Sequence, residues 1–218
     1  MDPVIPAKNH PRGPLKTQSI AGPAGALEIL EEMPAETPTA VAVICHPHPL
    51  HGGSLNNKVV HQLAKTFTEL GAVSIRFNFR GIGESKGEYD EGRGELQDLL
   101  AVAAWAQARW PEVPLWLGGF SFGGFIALQA AQKLAPQRLV SVAPAVNYFT
   151  DSALNLSGIS WLLIQGDADD IVPAELVTGW TGSLEFQPQL VLLKGAGHFF
   201  HGRLNELKQT IVDSFNAD

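Results

Sequence analysis

The run Leu115-Trp116-Leu117-Gly118-Gly119-Phe120-Ser121-Phe122-Gly123-Gly124-Phe125 constrains this chain more than any other stretch. An apolar segment ends in glycines, a lone serine stands between Gly119 and Gly123, and an apolar, alanine-containing stretch continues to Ala135. Read physically, this is strand, sharp turn, helix, with Ser121 at the turn. A residue so placed is pushed into strained backbone geometry. Its neighbours two before and two after must be small, because a side chain there collides with adjacent backbone, and glycine at both positions removes the clash. The turn lifts the serine oxygen out of the sheet, over a helix N-terminus that favours developing negative charge. A glycine-rich turn with a capping serine shares the five-residue pattern, so the flanking strand and helix carry the nucleophile reading.

From residue 40 onward, apolar strands alternate with helical patterns. Residues 40–45 are a continuous run rich in valine and isoleucine, with the length of a buried central strand. The segment 46–53 follows, in which two prolines and two glycines argue against regular structure. A helix then opens at Asn56 or Asn57 and turns Val59, Leu63, Phe67 and Leu70 to one face. Further strands are expected at 73–79, 115–120, 138–143, 161–165 and 190–193. Helices are expected at 91–109, with Leu96, Leu99, Leu100, Ala103 and Ala104 inward, at 173–180 and at 204–215. Upstream, 15–20 and 26–33 read as two strands around the breakers 21–25, although the second also has the composition of a short helix. Residues 1–14 hold four prolines and read as a lead-in. No composition shift marks a boundary within 15–218, which is expected to be one domain.

This alternation describes a mostly parallel sheet of about seven or eight strands, covered by helices on both faces. In such sheets chemistry gathers at the carboxyl ends of the strands. The candidate groups there are the loop 46–53, Ser121, the acidic cluster Asp167-Ala168-Asp169-Asp170, and His198. The glycines at 81, 83 and 87 imitate a dinucleotide fingerprint, but the second gap is one residue too long and no helix follows at once. A net charge of -7 without a basic cluster argues against nucleic acid. No run approaches the ~20 apolar residues of a membrane span. One cysteine, Cys45, and a start without an apolar signal core make a cytoplasmic protein the expectation.

Four segments together resemble the α/β-hydrolase superfamily, in particular its small lidless serine esterases and dienelactone-hydrolase-like members. They are Gly119-Phe120-Ser121-Phe122-Gly123, the stretch from Gly166 to Pro173, Gly195-Ala196-Gly197-His198-Phe199, and the stretch from Arg76 to Ser85. The resemblance covers roughly residues 20–215. The order Ser121, aspartate, His198 is the order of that family. A serine hydroxyl needs a base within reach, and the base needs an orienting acid; histidine suits the first role because its ordinary pKa lies near ~6.5. Among Asp167, Asp169 and Asp170, the family's spacing, three residues after the glycine and four before the proline, selects Asp169, with Asp170 next and Asp167 as a loop support.

An oxyanion hole needs two backbone N–H groups. The resemblance assigns one to Phe122 and the other to the loop after the 40–45 strand. Pro47 and Pro49 have no N–H, which leaves His48 between them. Here Pro47 replaces the glycine of the family's common His-Gly form. His46, His48 and His51 also imitate a metal signature, but Leu50 stands where its acid should be, so no metal and no cofactor are expected. His10, His61 and His201 read as surface residues. Only residues 144–160 lie where the family inserts a lid, too few for a cap domain. An open site rimmed by Leu50, Phe122, Val146, Tyr148 and Phe199 is expected. These features imply a serine carboxylesterase for small to medium acyl esters, with thioester hydrolysis or a catalytically silent binding fold as alternatives. The expected partner is a small-molecule ester, with no nucleic acid, membrane or obligatory protein partner.

Overall fold

The computed structural model describes residues 17–148 and 154–217. Its strands join one sheet of eight, in the order β1-β2-β4-β3-β5-β6-β7-β8. β1 (Gln18–Gly22) and β2 (Gly25–Glu32) form a hairpin, and β2 runs antiparallel to β4 (Ala72–Phe77). The segment with two readings, 26–33, is therefore a strand. All remaining pairs are parallel, through β3 (Ala40–Cys45), β5 (Leu115–Phe120), β6 (Arg138–Val142), β7 (Ser160–Gly166) and β8 (Gln189–Leu193). The expected lead-in, 1–14, lies outside the described residues.

The apolar run of β3 has a direct cause. Val41, Val43 and Cys45 enter a core under α2 (Arg93–Arg109), α3 (Phe122–Leu134) and α4 (Ala174–Gly182). Ala40, Ala42 and Ile44 enter a second core under α1 (Lys58–Glu69) and α5 (Leu204–Ala217). A strand buried on both faces cannot alternate apolar with polar residues. Among the described residues, no helix is long and apolar enough to cross a membrane.

Three local expectations change. The loop 46–53 contains a turn of 3-10 helix at Pro49–His51: a proline at the first helical position loses an N–H that would be unpaired anyway, and His48 caps the turn. The helix expected from 91 begins at Arg93, because Glu91 and Gly92 have left-handed φ of 53° and 92°. Its inner face is also rotated. Glu95, Asp98, Leu99, Val102, Ala103 and Ala106 are buried, whereas Leu96 and Leu100 are half-buried and Ala104 is exposed. Two acids can face inward because each meets donors: Glu95 accepts from Asp90 and Gly92 N–H, and Asp98 pairs with Arg80 at 2.8 Å.

The end of β4 and the stretch after it act as a polar clasp for the loop 46–57. Arg76 pairs with Glu32 and donates to Leu55 O, while Asn78 accepts from Leu55 N–H and donates to Glu28. Ser85 Oγ donates to Asn78 O and accepts from Glu28 N–H.

The elbow between β5 and α3 carries Ser121 at φ 54° and ψ -118°. A Cβ on Gly119 would strike the Gly123 carbonyl oxygen, and one on Gly123 would strike the carbonyl oxygens of Cys45 and His46. These obstacles are backbone and have no rotamer by which to yield. Gly119→Ala is accordingly expected to destabilise the fold by about 1–3 kcal/mol, the usual range for overpacking, or more. Urea unfolding measures this, and an unchanged midpoint would show that the elbow relaxes freely.

Candidate active site

Three loops at the carboxyl ends of β5, β7 and β8 bring Ser121, Asp169 and His198 together. Ser121 Oγ lies 3.0 Å from His198 Nε2, and His198 Nδ1 lies 2.8 Å from Asp169 Oδ2. All three residues are at most 9% exposed. A carboxylate only accepts, so Nδ1 carries the imidazole proton and Nε2 faces the hydroxyl as an acceptor. Burial would raise the Asp169 pKa, but hydrogen bonds from His198, Val172 N–H and Ile171 N–H outweigh it and hold the carboxyl below its ordinary value. Asp169 therefore stays ionised through the neutral range. Asp170 is exposed, and Asp167 accepts from Gly195 N–H, tying the β7–α4 loop to the β8–α5 loop.

His48 and Phe122 are neighbours, with ring centroids 5.0 Å apart. Phe122 opens α3, where the first N–H groups have no intrahelical partner. The rings of the histidine cluster are engaged by the protein itself. His46 Nδ1 donates to Pro47 O at 2.6 Å while Nε2 accepts from Phe79 N–H at 3.0 Å, which leaves no lone pair for a metal. His48 Nδ1 accepts from Leu50 N–H, so its Nε2 donates to the Tyr89 hydroxyl at 3.2 Å in the neutral ring. Burial first, then the nearby His51, lowers the His48 pKa and favours that neutral form. Among the described residues, no group of three His, Cys, Asp or Glu side chains could hold a metal ion. Cys45 is buried, and burial pushes its thiol well up, away from the reactive thiolate.

The expected rim is only partly exposed. Leu50 (66%), Phe199 (43%) and Tyr148 (38%) reach solvent, whereas Val146 and Phe122 are buried in the core, so neither side chain forms part of the rim. Tyr148 packs over Phe122 and Phe125, and Phe199 meets the His198 ring edge-on. A cavity of about 440 Å³ is lined by Phe199 together with Gly52, Ser54, Asn56, Lys58 and His201. His61 and His201 are exposed, and His10 lies outside the described residues. Sequence reasoning missed Tyr89 and Gln165. The second had a signal, a buried amide at the end of an apolar strand beside the acidic loop.

The fold and the placement of a serine, a histidine and an aspartate on its strand ends define an α/β hydrolase. A model of the family described as serine aminopeptidase, S33, matches residues 37–162, and the chain belongs to that family of α/β serine hydrolases. It is similar to an α/β serine hydrolase homologue from Coxiella burnetii, at 44% identity and a TM-score of 0.88, over 91% of this chain and 96% of that one. A serine hydrolase without a lid from Xanthomonas campestris matches at 39% identity and a TM-score of 0.89, over 99% and 97% of the two chains. An uncharacterized protein of Rickettsia prowazekii (strain Madrid E) is 34% identical over 202 residues, 88% of this chain and 85% of that protein. Like the Xanthomonas protein, this chain has no room for a lid, since only residues 143–159 join β6 to β7.

The buried His46 couples stability to pH. Its pKa is lowered from 6.5 to about 4, first by burial, against the opposing hydrogen bond to Pro47 O. The unfolded chain therefore binds this proton more readily. The stabilisation is fully present above pH 6.5 and is lost as the pH falls toward 4, by on the order of 3 kcal/mol at 1.36 kcal/mol per unit. Urea unfolding of native protein and of His46→Phe, each at pH 7 and pH 4, checks this. The variant is expected to be less stable at pH 7 but to lose about 3 kcal/mol less on acidification.

Proposed function

We infer that the protein is a serine carboxylesterase that cleaves small to medium acyl esters through an acyl-enzyme. The observation that carries this reading is the continuous line of hydrogen bonds from Ser121 Oγ through His198 to Asp169. In the acylation step, His198 Nε2 takes the hydroxyl proton as Ser121 Oγ attacks the ester carbonyl carbon. Asp169 stabilises the imidazolium without taking its proton. The C–O bond to the alcohol then breaks, and His198 returns the proton to the leaving oxygen. Water repeats the sequence on the acyl-enzyme and releases the acid. The N–H groups of His48 and Phe122 are assigned to the negative oxygen of each tetrahedral intermediate.

Several features favour small ester substrates. No cap domain covers the site, and the exposed rim of Leu50, Tyr148 and Phe199 is apolar. His48, Tyr89 and Tyr148 add an aromatic wall around Phe122. The same machinery opens thioesters, so a panel of matched esters, thioesters and aminoacyl anilides tests the bond specificity. Highest kcat/KM on esters is expected, and a preference for either other class would replace the assignment. A fluorophosphonate probe should label Ser121; a folded protein that stays unlabelled would be a silent binding fold instead.

Substitutions test the individual roles. Ser121→Ala should lower ester turnover by roughly three to six orders of magnitude without unfolding the chain. Asp169→Asn should cost about 10³–10⁴, because the base loses its correct tautomer, and Asp170→Asn far less. The reverse ranking would move the acid by one residue. For the oxyanion donor, His48→Pro should cost roughly 2.7–4 kcal/mol of transition-state stabilisation, whereas His48→Ala keeps the N–H and should stay within about tenfold. Chelator-sensitive activity with stoichiometric zinc would replace this account by a metal mechanism.

A further inference from the structure

Gln165 ends the apolar run of β7, and its side chain is fully buried. The amide nitrogen donates to Asp169 Oδ2 at 2.9 Å and to Val172 O at 2.8 Å. Both hydrogens of the amide thus serve the loop that carries Asp169. The opposite orientation would turn the amide oxygen onto a carboxylate and a carbonyl, two acceptors, so the partners dictate which end points inward. That arrangement has a visible cost. Gln165 Oε1 is buried without a hydrogen-bond partner among the described residues, and an unpaired buried acceptor is destabilising. A leucine or methionine would fill the same strand position without that cost. Neither could donate to Asp169.

The oxygen that Gln165 contacts is the one that faces the imidazole. Asp169 Oδ2 accepts from both His198 Nδ1 and Gln165 Nε2, and Oδ1 accepts from Ile171 and Val172 N–H at 2.9 and 2.8 Å. Four donors therefore meet the four lone-pair positions of one carboxylate and prevent it from rotating. The titratable groups nearby are His198, from the β8–α5 loop, and the loop neighbours Asp167, turned to Gly195 N–H, and Asp170, exposed. Among the described residues no lysine or arginine pairs with this carboxylate, so it depends on His198 and on neutral donors for its solvation.

We propose that Gln165 is a positioning residue of the proton relay, which aims Asp169 Oδ2 at His198 and moderates the charge that this oxygen presents to the imidazole. The proposal rests on the reading of Ser121, His198 and Asp169 as the catalytic set. Without the Gln165 donor, Oδ2 holds more charge and the carboxylate is free to turn. The imidazolium is then favoured, and His198 becomes available as a base only at higher pH.

The test is the pH profile of ester hydrolysis by Gln165→Leu and Gln165→Glu, with Ser121→Ala and Asp169→Asn measured alongside. Gln165→Leu is expected to lower kcat about tenfold or more through misplacement of the base, with KM within about twofold. The acidic limb of its kcat/KM profile should move to higher pH. Gln165→Glu separates donation from packing. Two carboxyls in contact cannot both ionise readily, so the new side chain stays protonated to unusually high pH and donates to Asp169 while it does. Its activity should approach the native value at the acidic end of the working range and fall, relative to the native enzyme measured alongside, as the pH rises. If circular dichroism shows that Gln165→Leu does not fold, the profile of Gln165→Glu decides alone. A Gln165→Glu profile parallel to the native one, or a folded Gln165→Leu with native kcat and acidic limb, overturns the proposal. Full activity in Ser121→Ala would instead overturn the catalytic set on which it rests.

Discussion

The close approach of three backbone segments around Ser121 is the constraint on which the rest of the structure depends. Gly119 lies against the Gly123 carbonyl, and Gly123 lies against the carbonyls of Cys45 and His46. No side chain fits between β5, α3 and the end of β3, so the elbow is held by contacts that cannot yield. Ser121 is thereby kept at a φ of 54°, a conformation that a serine does not adopt unaided. The strain is sustained because α3 is buried along most of its length, from Phe122 to Ala131, between the sheet and α2.

A serine hydroxyl by itself is a poor nucleophile, and the groups beside Ser121 come from elsewhere in the chain. His198 comes from the far side of the sheet, on a loop beyond β8, and Asp169 from the loop beyond β7. Parallel strands make this convergence automatic, because every βα connection leaves the sheet at the same end. Their precise approach is then set by hydrogen bonds between loops rather than by the sheet. Asp167 joins the two loops through Gly195, Gln165 joins β7 to Asp169 and Val172, and His46 joins the end of β3 to Phe79. Gln165 and His46 make their contacts in the buried interior, where a low dielectric strengthens a hydrogen bond, whereas the Asp167 contact lies at the exposed surface.

The elements that were legible in the sequence are those whose burial is one-sided or complete. β3 and β5 are apolar throughout, and their observed limits match the apolar runs that predict them. α2 was harder, since its inner face includes Glu95 and Asp98. Their burial depends on Arg80 and on the N–H groups of Asp90 and Gly92, so a reading by hydrophobic period finds Leu99 and Ala103 but places the centre of the buried face to one side of its true position. Val146 looked like a rim residue because it stands near the expected mouth of the site. It is buried because the 3-10 turn Val146–Tyr148 points it into the core and leaves Tyr148 outside. Tyr89 gave no signal, since a tyrosine in a glycine-rich loop has no periodicity to place it.

Sequence alone determined the architecture and named the residues that the structure brings together. Alternating apolar strands and helices admit a covered parallel sheet and little else, and the glycines around Ser121 admit one kind of turn. Tertiary structure decided which oxygen of Asp169 meets His198, which end of the Gln165 amide faces that oxygen, and how the histidine rings at 46 and 48 spend their nitrogens. These are questions of distance between groups far apart in the chain. Patterning reports which face of an element is buried, whereas a hydrogen bond of 2.8 Å depends on the packing of every element between its partners.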